Sequence, residues 1–147
     1  MTVTELADAR ITGGCQCGAL RYELRQTPIM SWACHCDECR KQSGSAFGLS
    51  AVVPLGSFMV THGDPHIWTR TAASGNLVDC LFCGTCGSRI AHRRHEHQGK
   101  ITIKAGTFDQ ACHIAPERHV FQDQALPWIR PLLQTNPPSD APLKLRK

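Results

Sequence analysis

Apolar and polar residues alternate over short runs along most of this chain, and no long stretch repeats with a helical period. Ala19-Leu20-Arg21-Tyr22-Glu23-Leu24 predicts a half-buried strand, ended by Pro28. Met30-Ser31-Trp32-Ala33 is a short apolar run leading to Cys34. Phe47 to Val53 reads as a strand stopped by Pro54. Ser57 to Thr61 and His66 to Arg70 are two more, joined by the turn His62-Gly63-Asp64-Pro65. After a turn at Ser74-Gly75-Asn76, Leu77 to Phe82 is a further strand. Arg89 to His92 and Lys100 to Ala105 flank a polar loop, Arg93 to Gly99, as a hairpin. The one helical signal is local: Asp37 as a cap, a turn through Gln42, and Ser43-Gly44 as its stop.

Closely spaced strands with turn chemistry between them predict an all-β sandwich or barrel-like fold. The 147 residues suit one domain able to bury an ordinary core. Beyond Trp128 the chain turns basic and rich in proline, with Pro131, Pro137, Pro138 and Pro142, so an irregular peripheral tail is expected. No apolar run has the length to span a bilayer, and Met1 to Gly14 has no apolar core of a secretory signal. The expected setting is cytoplasmic and reducing, where cysteines bind metals or do chemistry more often than they pair.

Composition sharpens that expectation, because the chain has nine cysteines. The spacings are Cys15-x-Cys17, Cys34-x-Cys36-x2-Cys39 and Cys80-x2-Cys83-x2-Cys86, with Cys112 alone. A disulfide inside C-x-C would close a very small, strained ring. Glycines beside Cys15-Gln16-Cys17 and after Cys83 and Cys86 permit the tight turns of metal knuckles. Cys15 and Cys17 with Cys83 and Cys86 supply four thiolates, the closed count of a structural zinc, with other pairings of the knuckles left open by the spacing. Such a site contributes about 10–16 kcal/mol, against a whole domain's net stability of about 5–15 kcal/mol.

Cys34, Cys36 and Cys39 remain for a second metal. Three protein ligands leave a fourth position open, the form of a catalytic site, and a histidine such as His35 would instead close it into a second structural site. Cys80 falls on one strand face with Phe82 and reads as a core residue, as does Cys112. The cysteine run from Cys80 lacks the following Cys-Pro of an iron–sulfur motif. His92-Arg93-Arg94-His95-Glu96-His97 reads as a solvated face of the hairpin loop, with no interleaved aromatics for stacking on bases. The formal charge of +4 falls to about +1 once seven thiolates hold two zinc ions. This removes much of the charge argument for a nucleic-acid partner.

Taken in order, Gly-Gly-Cys15-Gln-Cys17-Gly-Ala-Leu-Arg-Tyr, Cys34-His-Cys36-Asp-Glu-Cys39-Arg-Lys-Gln-Ser-Gly and Phe82-Cys83-Gly-Thr-Cys86-Gly-Ser resemble the glutathione-dependent formaldehyde-activating enzyme family. That family shares its domain with centromere protein V. The resemblance runs from Ile11 to Trp128 and includes Lys104-Ala-Gly-Thr-Phe-Asp and His119-Val-Phe. It implies a zinc-binding domain over residues 11–128, with 129–147 as the tail. The implied fold is Mss4-like, with small packed antiparallel β-sheets carrying zinc-binding knuckles. Two zinc ions per chain are implied, structural at Cys15, Cys17, Cys83 and Cys86 and catalytic at Cys34, Cys36 and Cys39. The implied reaction is that of a carbon–sulfur lyase, reversibly joining formaldehyde and glutathione into S-hydroxymethylglutathione. Its partner is a small thiol or thiol adduct, glutathione among the candidates, with no membrane and no nucleic acid. His35, Asp37 and His119 are candidates to carry the proton, and Arg40 and Lys41 to receive substrate carboxylates, although each is more often a supporting or solvated group. Exposed strand edges and Trp128 leave a homodimer open. The competing reading is a non-catalytic binding module with both metals structural, and the fourth ligand of the Cys34 set separates the two.

Overall fold

The computed structural model describes residues 10–110 and 114–133 of the chain. Cys112 and three of the tail prolines, Pro137, Pro138 and Pro142, lie outside them. The strands are β1 (Ile11–Gly14), β2 (Arg21–Leu24), β3 (Met30–Cys34), β4 (Gly48–Pro54), β5 (Phe58–His62), β6 (His66–Thr71), β7 (Leu77–Phe82), β8 (Arg89–Arg94), β9 (Lys100–Lys104) and β10 (Arg118–Val120). The helices are α1 (Asp37–Ser43) and α2 (Arg130–Leu133). None is long and apolar enough to cross a membrane among the described residues.

The fold is an all-β arrangement of two sheets. A three-stranded sheet has the order β1-β2-β5, and a seven-stranded sheet has the order β10-β3-β4-β9-β8-β7-β6. Neighbours are antiparallel, except that β10 runs parallel to β3. Strand alternation explains how the sheets pack. Register places Ala51, Ile103, Ala91 and Leu81 side by side on one face of the large sheet. These residues join Val53, Ile101, Leu20, Tyr22, Leu24 and Phe108 in the main core. At their tightest approach, a Cβ on Gly13 would stand 2.5 Å from the Tyr22 ring and 2.6 Å from the Thr107 carbonyl, so only glycine fits there.

The opposite face of the large sheet has a different character. Val52, Thr102, His92, Cys80 and Trp68 form one cross-strand row, with Ser50 and Lys104 in the next. Helix α1 covers part of this face. Its Gln42 amide lies 3.9 Å from the Cys80 sulfur and accepts from Arg89 at 3.1 Å, and its Glu38 accepts from Arg70 at 2.8 Å. Positions that alternation would send to solvent are therefore buried, among them Lys104, Thr102 and His92.

Five local features differ from the sequence expectation. Glycine-rich β1 is a strand because β2 and Phe108 pair with it. The three residues of β10 are extended through their pairing with β3. Cys36, rather than Asp37, caps α1, its sulfur accepting from the Cys39 amide at 3.4 Å. β8 runs on to Arg94 through its pairing with β7, so His92 is buried rather than part of a solvated loop. Finally, Ile129 and Leu133 are buried with Ala125 around the turn of α2, where the proline content predicted an irregular course.

Candidate metal centres and the cavity beside them

Two thiol clusters form. Cys15 and Cys17 lie on the turn between β1 and β2, and Cys83 and Cys86 on the turn after β7. Their four sulfurs all lie within 4.8 Å of one another. Cys15 and Cys17 sulfurs are 3.6 Å apart, and Cys17 and Cys83 sulfurs 3.8 Å. Two thiolates on one tetrahedral zinc, each at about 2.3 Å, stand about 3.8 Å apart. The spacing thus fits a shared metal and not a disulfide. The turns are prepared for anionic sulfur. The Leu20 amide donates to the Cys15 sulfur at 3.2 Å, and Gly18 and Gly87 supply positive φ. The Ser88 hydroxyl, 3.2 Å from the Cys86 sulfur, is the main reason that thiol is held down at about 5. This cluster links the edge of the small sheet to the large one.

Cys34, Cys36 and Cys39 form the second cluster, also within 4.8 Å. Cys34 ends β3, Cys36 caps α1 and Cys39 lies in its first turn, so the strand-to-helix corner aims three sulfurs at one point. Cys34 and Cys36 sulfurs are 3.4 Å apart. A hydrogen bond from the Cys34 thiol, aided by the positive charges of Lys104 and Arg70, pulls Cys39 down to about 6. Cys34 is pushed up by Cys39 and by burial. No histidine or carboxylate joins the three sulfurs among the described residues. His35 is turned the other way. It is fully buried, with Nε2 3.0 Å from Nδ1 of His119 on β10, and its ring packs 5.3 Å from Phe47. Burial lowers the pKa of both imidazoles, which favours their neutral forms.

A cavity of about 520 Å³ touches the four-thiol cluster at Cys86 and reaches the neighbourhood of the second cluster through Gly48. Cys86 and Ser88 line one side, Gln42 and Gly48 another, and Arg89 and Lys104 belong to the sheet beneath α1. Gly48 abuts the second cluster, since a Cβ there would meet the Cys39 Cβ at 3.2 Å. Alternation gave no reason to single out Lys104, Arg89 or Gly48. Of the other candidates, Arg40 pairs with Asp37 at 2.6 Å on the exposed side of α1. His95 and Arg93 bind Asp79, at 3.1 and 2.9 Å, rather than gathering around a metal. Cys80 is fully buried.

The sequence profile described as glutathione-dependent formaldehyde-activating enzyme matches residues 10–124. The chain belongs to that family. Among solved structures, the fold seen here is similar to a crystal structure of a Rhodobacter sphaeroides protein, with a TM-score of 0.54 and 21% identity. The match covers 71% of this chain and 91% of that one. At that identity the likeness concerns the fold alone.

Proposed function

We propose that the chain is a zinc-dependent carbon–sulfur lyase that reversibly joins formaldehyde and glutathione into S-hydroxymethylglutathione. In this reading Cys34, Cys36 and Cys39 hold the catalytic zinc, and Cys15, Cys17, Cys83 and Cys86 hold the structural one. The carrying observation is the three-sulfur cluster, which no fourth side chain joins among the described residues, beside a cavity of about 520 Å³. Family membership supplies the reaction class.

A zinc ion bound there would supply Lewis acidity for an aldehyde oxygen and lower the pKa of an incoming thiol. In the joining direction the thiol sulfur attacks the carbonyl carbon. The C–S bond forms as the C=O π pair moves onto oxygen, and the proton lost by the thiol ends on that oxygen. The chain's part is positional and electrostatic. The corner from β3 into α1 fixes the three sulfurs. Lys104 and Arg70 favour thiolate at Cys39. The His35–His119 pair, away from the cavity lining, holds the turn that carries Cys34 and Cys36. A reducing, cytoplasmic setting belongs to the same proposal, since thiolate ligands persist there.

The test is exchange between ¹³C-formaldehyde and its glutathione adduct, followed by NMR. The zinc-loaded chain is expected to accelerate exchange, and Cys36→Ser to return it to the uncatalysed rate while remaining folded. An uncatalysed rate with the wild-type holoprotein overturns the reading.

A further inference from the structure

The polar face beneath α1 holds an unusual collection of unanswered positive groups. The Lys104 ammonium and the Arg89 Nε are buried with no hydrogen-bond partner among the described residues. Lys104 is 7% exposed. Neither residue forms an ion pair among the described residues, whereas their neighbour Arg70 is answered by Glu38 at 2.8 Å. An unpaired charge taken out of water is costly, and a fold retains one where something supplies the missing counter-charge. Both residues line the same cavity, and Arg89 is steadied by its 3.1 Å bond to Gln42. Around them the lining is rich in neutral hydrogen-bonding side chains, including Ser43, Ser45, Ser88 and Thr107, and it contains no carboxylate.

We infer that Lys104 and Arg89 form a carboxylate-recognition subsite, so that the thiol taken by the adjacent Cys34–Cys36–Cys39 cluster is one that carries an acidic group. The inference rests on the thiol-binding reading above for the word thiol, and on the cavity alone for the word carboxylate. Geometry makes the two ends compatible, because Gly48 lines the cavity and also abuts Cys39. A carboxylate there would accept from the ammonium and the guanidinium together, as charge-assisted bonds that outcompete neutral ones. A simpler role for Lys104 would be counter-charge to the Cys39 and Cys34 thiolates, toward which its field acts. That role predicts no preference between acidic and neutral thiols.

The test titrates the metal-loaded, ¹⁵N-labelled chain with three probes: 3-mercaptopropionate, its amide, and propionate. The acid is expected to bind about tenfold more tightly than the amide. Propionate, which has no sulfur, is expected to shift resonances of β9 and α1. Lys104→Met and Arg89→Gln should each bring the acid to the amide's affinity and abolish the response to propionate, with amide dispersion and metal content kept. If Lys104→Met does not fold, Arg89→Gln decides alone. Equal affinity of acid and amide in the wild type overturns the inference, as does a preference that survives in the folded variants. Propionate binding that depends on Lys104 or Arg89, with no binding of either thiol through sulfur, upholds the subsite and removes the thiol role. Equal binding of both thiols with no response to propionate does the reverse.

Discussion

His35 and His119, 84 positions apart, face each other with ring nitrogens 3.0 Å apart, in a pocket that solvent does not reach around His35. The contact ties β10 to the residue between two members of the three-thiol cluster, and the His35 amide donates to the Val120 carbonyl at 3.0 Å alongside it. Replacing His119 by phenylalanine leaves both His35 nitrogens without a partner, because Nδ1 already has none among the described residues. The expected loss is about 1–3 kcal/mol. Thermal denaturation of His119→Phe measures it, and the variant should also release metal from the Cys34 cluster to a chelator sooner than the wild type.

The two clusters are expected to respond differently to loss of a ligand. Cys83→Ser breaks the four-thiol link between the sheets, where a zinc ion would contribute about 10–16 kcal/mol, and should leave the chain unfolded. Cys36→Ser should leave a folded chain with one metal. Circular dichroism with metal analysis separates these outcomes, and equal unfolding in both variants removes the distinction between the sites.

Gly13→Ala is a smaller perturbation with a large expected effect. Its new methyl would drive into the Tyr22 ring and the Thr107 carbonyl, neither of which is the free end of a flexible chain. Overpacking of this kind costs about 1–3 kcal/mol. A urea midpoint equal to that of the wild type would mean that β1 shifts freely.

His92 sets a pH dependence. It is buried among Lys104, Arg94, Arg70 and Arg89, and burial first, then those charges, hold its pKa well below the ordinary 6.5. In the unfolded chain it takes a proton near that ordinary value. The unfolded state therefore binds more protons below pH 6.5, and stability that is complete above that pH falls as pH drops, by up to about 1.4 kcal/mol per pH unit. His92→Gln removes this contribution. Urea midpoints of the two proteins measured from neutral to mildly acidic pH should draw together as pH falls, and parallel curves would contradict the assignment.

Most of the strands were legible because alternation and turn residues agree, as in Arg21–Leu24 and Leu77–Phe82. The cysteine spacings announced both thiol clusters, since knuckles are local and their ligands are chemically distinctive. Tertiary pairing produced the features that were not legible. Thr12-Gly13-Gly14 has little intrinsic strand preference and becomes one against Tyr22. Arg118-His119-Val120 is too short to declare itself without β3 beside it. Lys104 is the instructive case. Its place in Lys-Ile-Thr-Ile-Lys reads as solvent-facing, and it is buried because α1, from far earlier in the chain, lies over that face.

The long reach of the four-thiol link bears on how the protein is made. Five of the chain's nine thiols, from Cys15 to Cys39, leave the ribosome before Cys83 and Cys86 exist. At about 5–20 residues per second, the gap between Cys39 and Cys86 lasts roughly 2–9 s. During that interval the three-thiol set of Cys34, Cys36 and Cys39 is complete, while Cys15 and Cys17 still lack their two partners. A metal ion taken up in that time would meet one finished set and one half-built one, so the four-thiol link would load only after the second knuckle emerges.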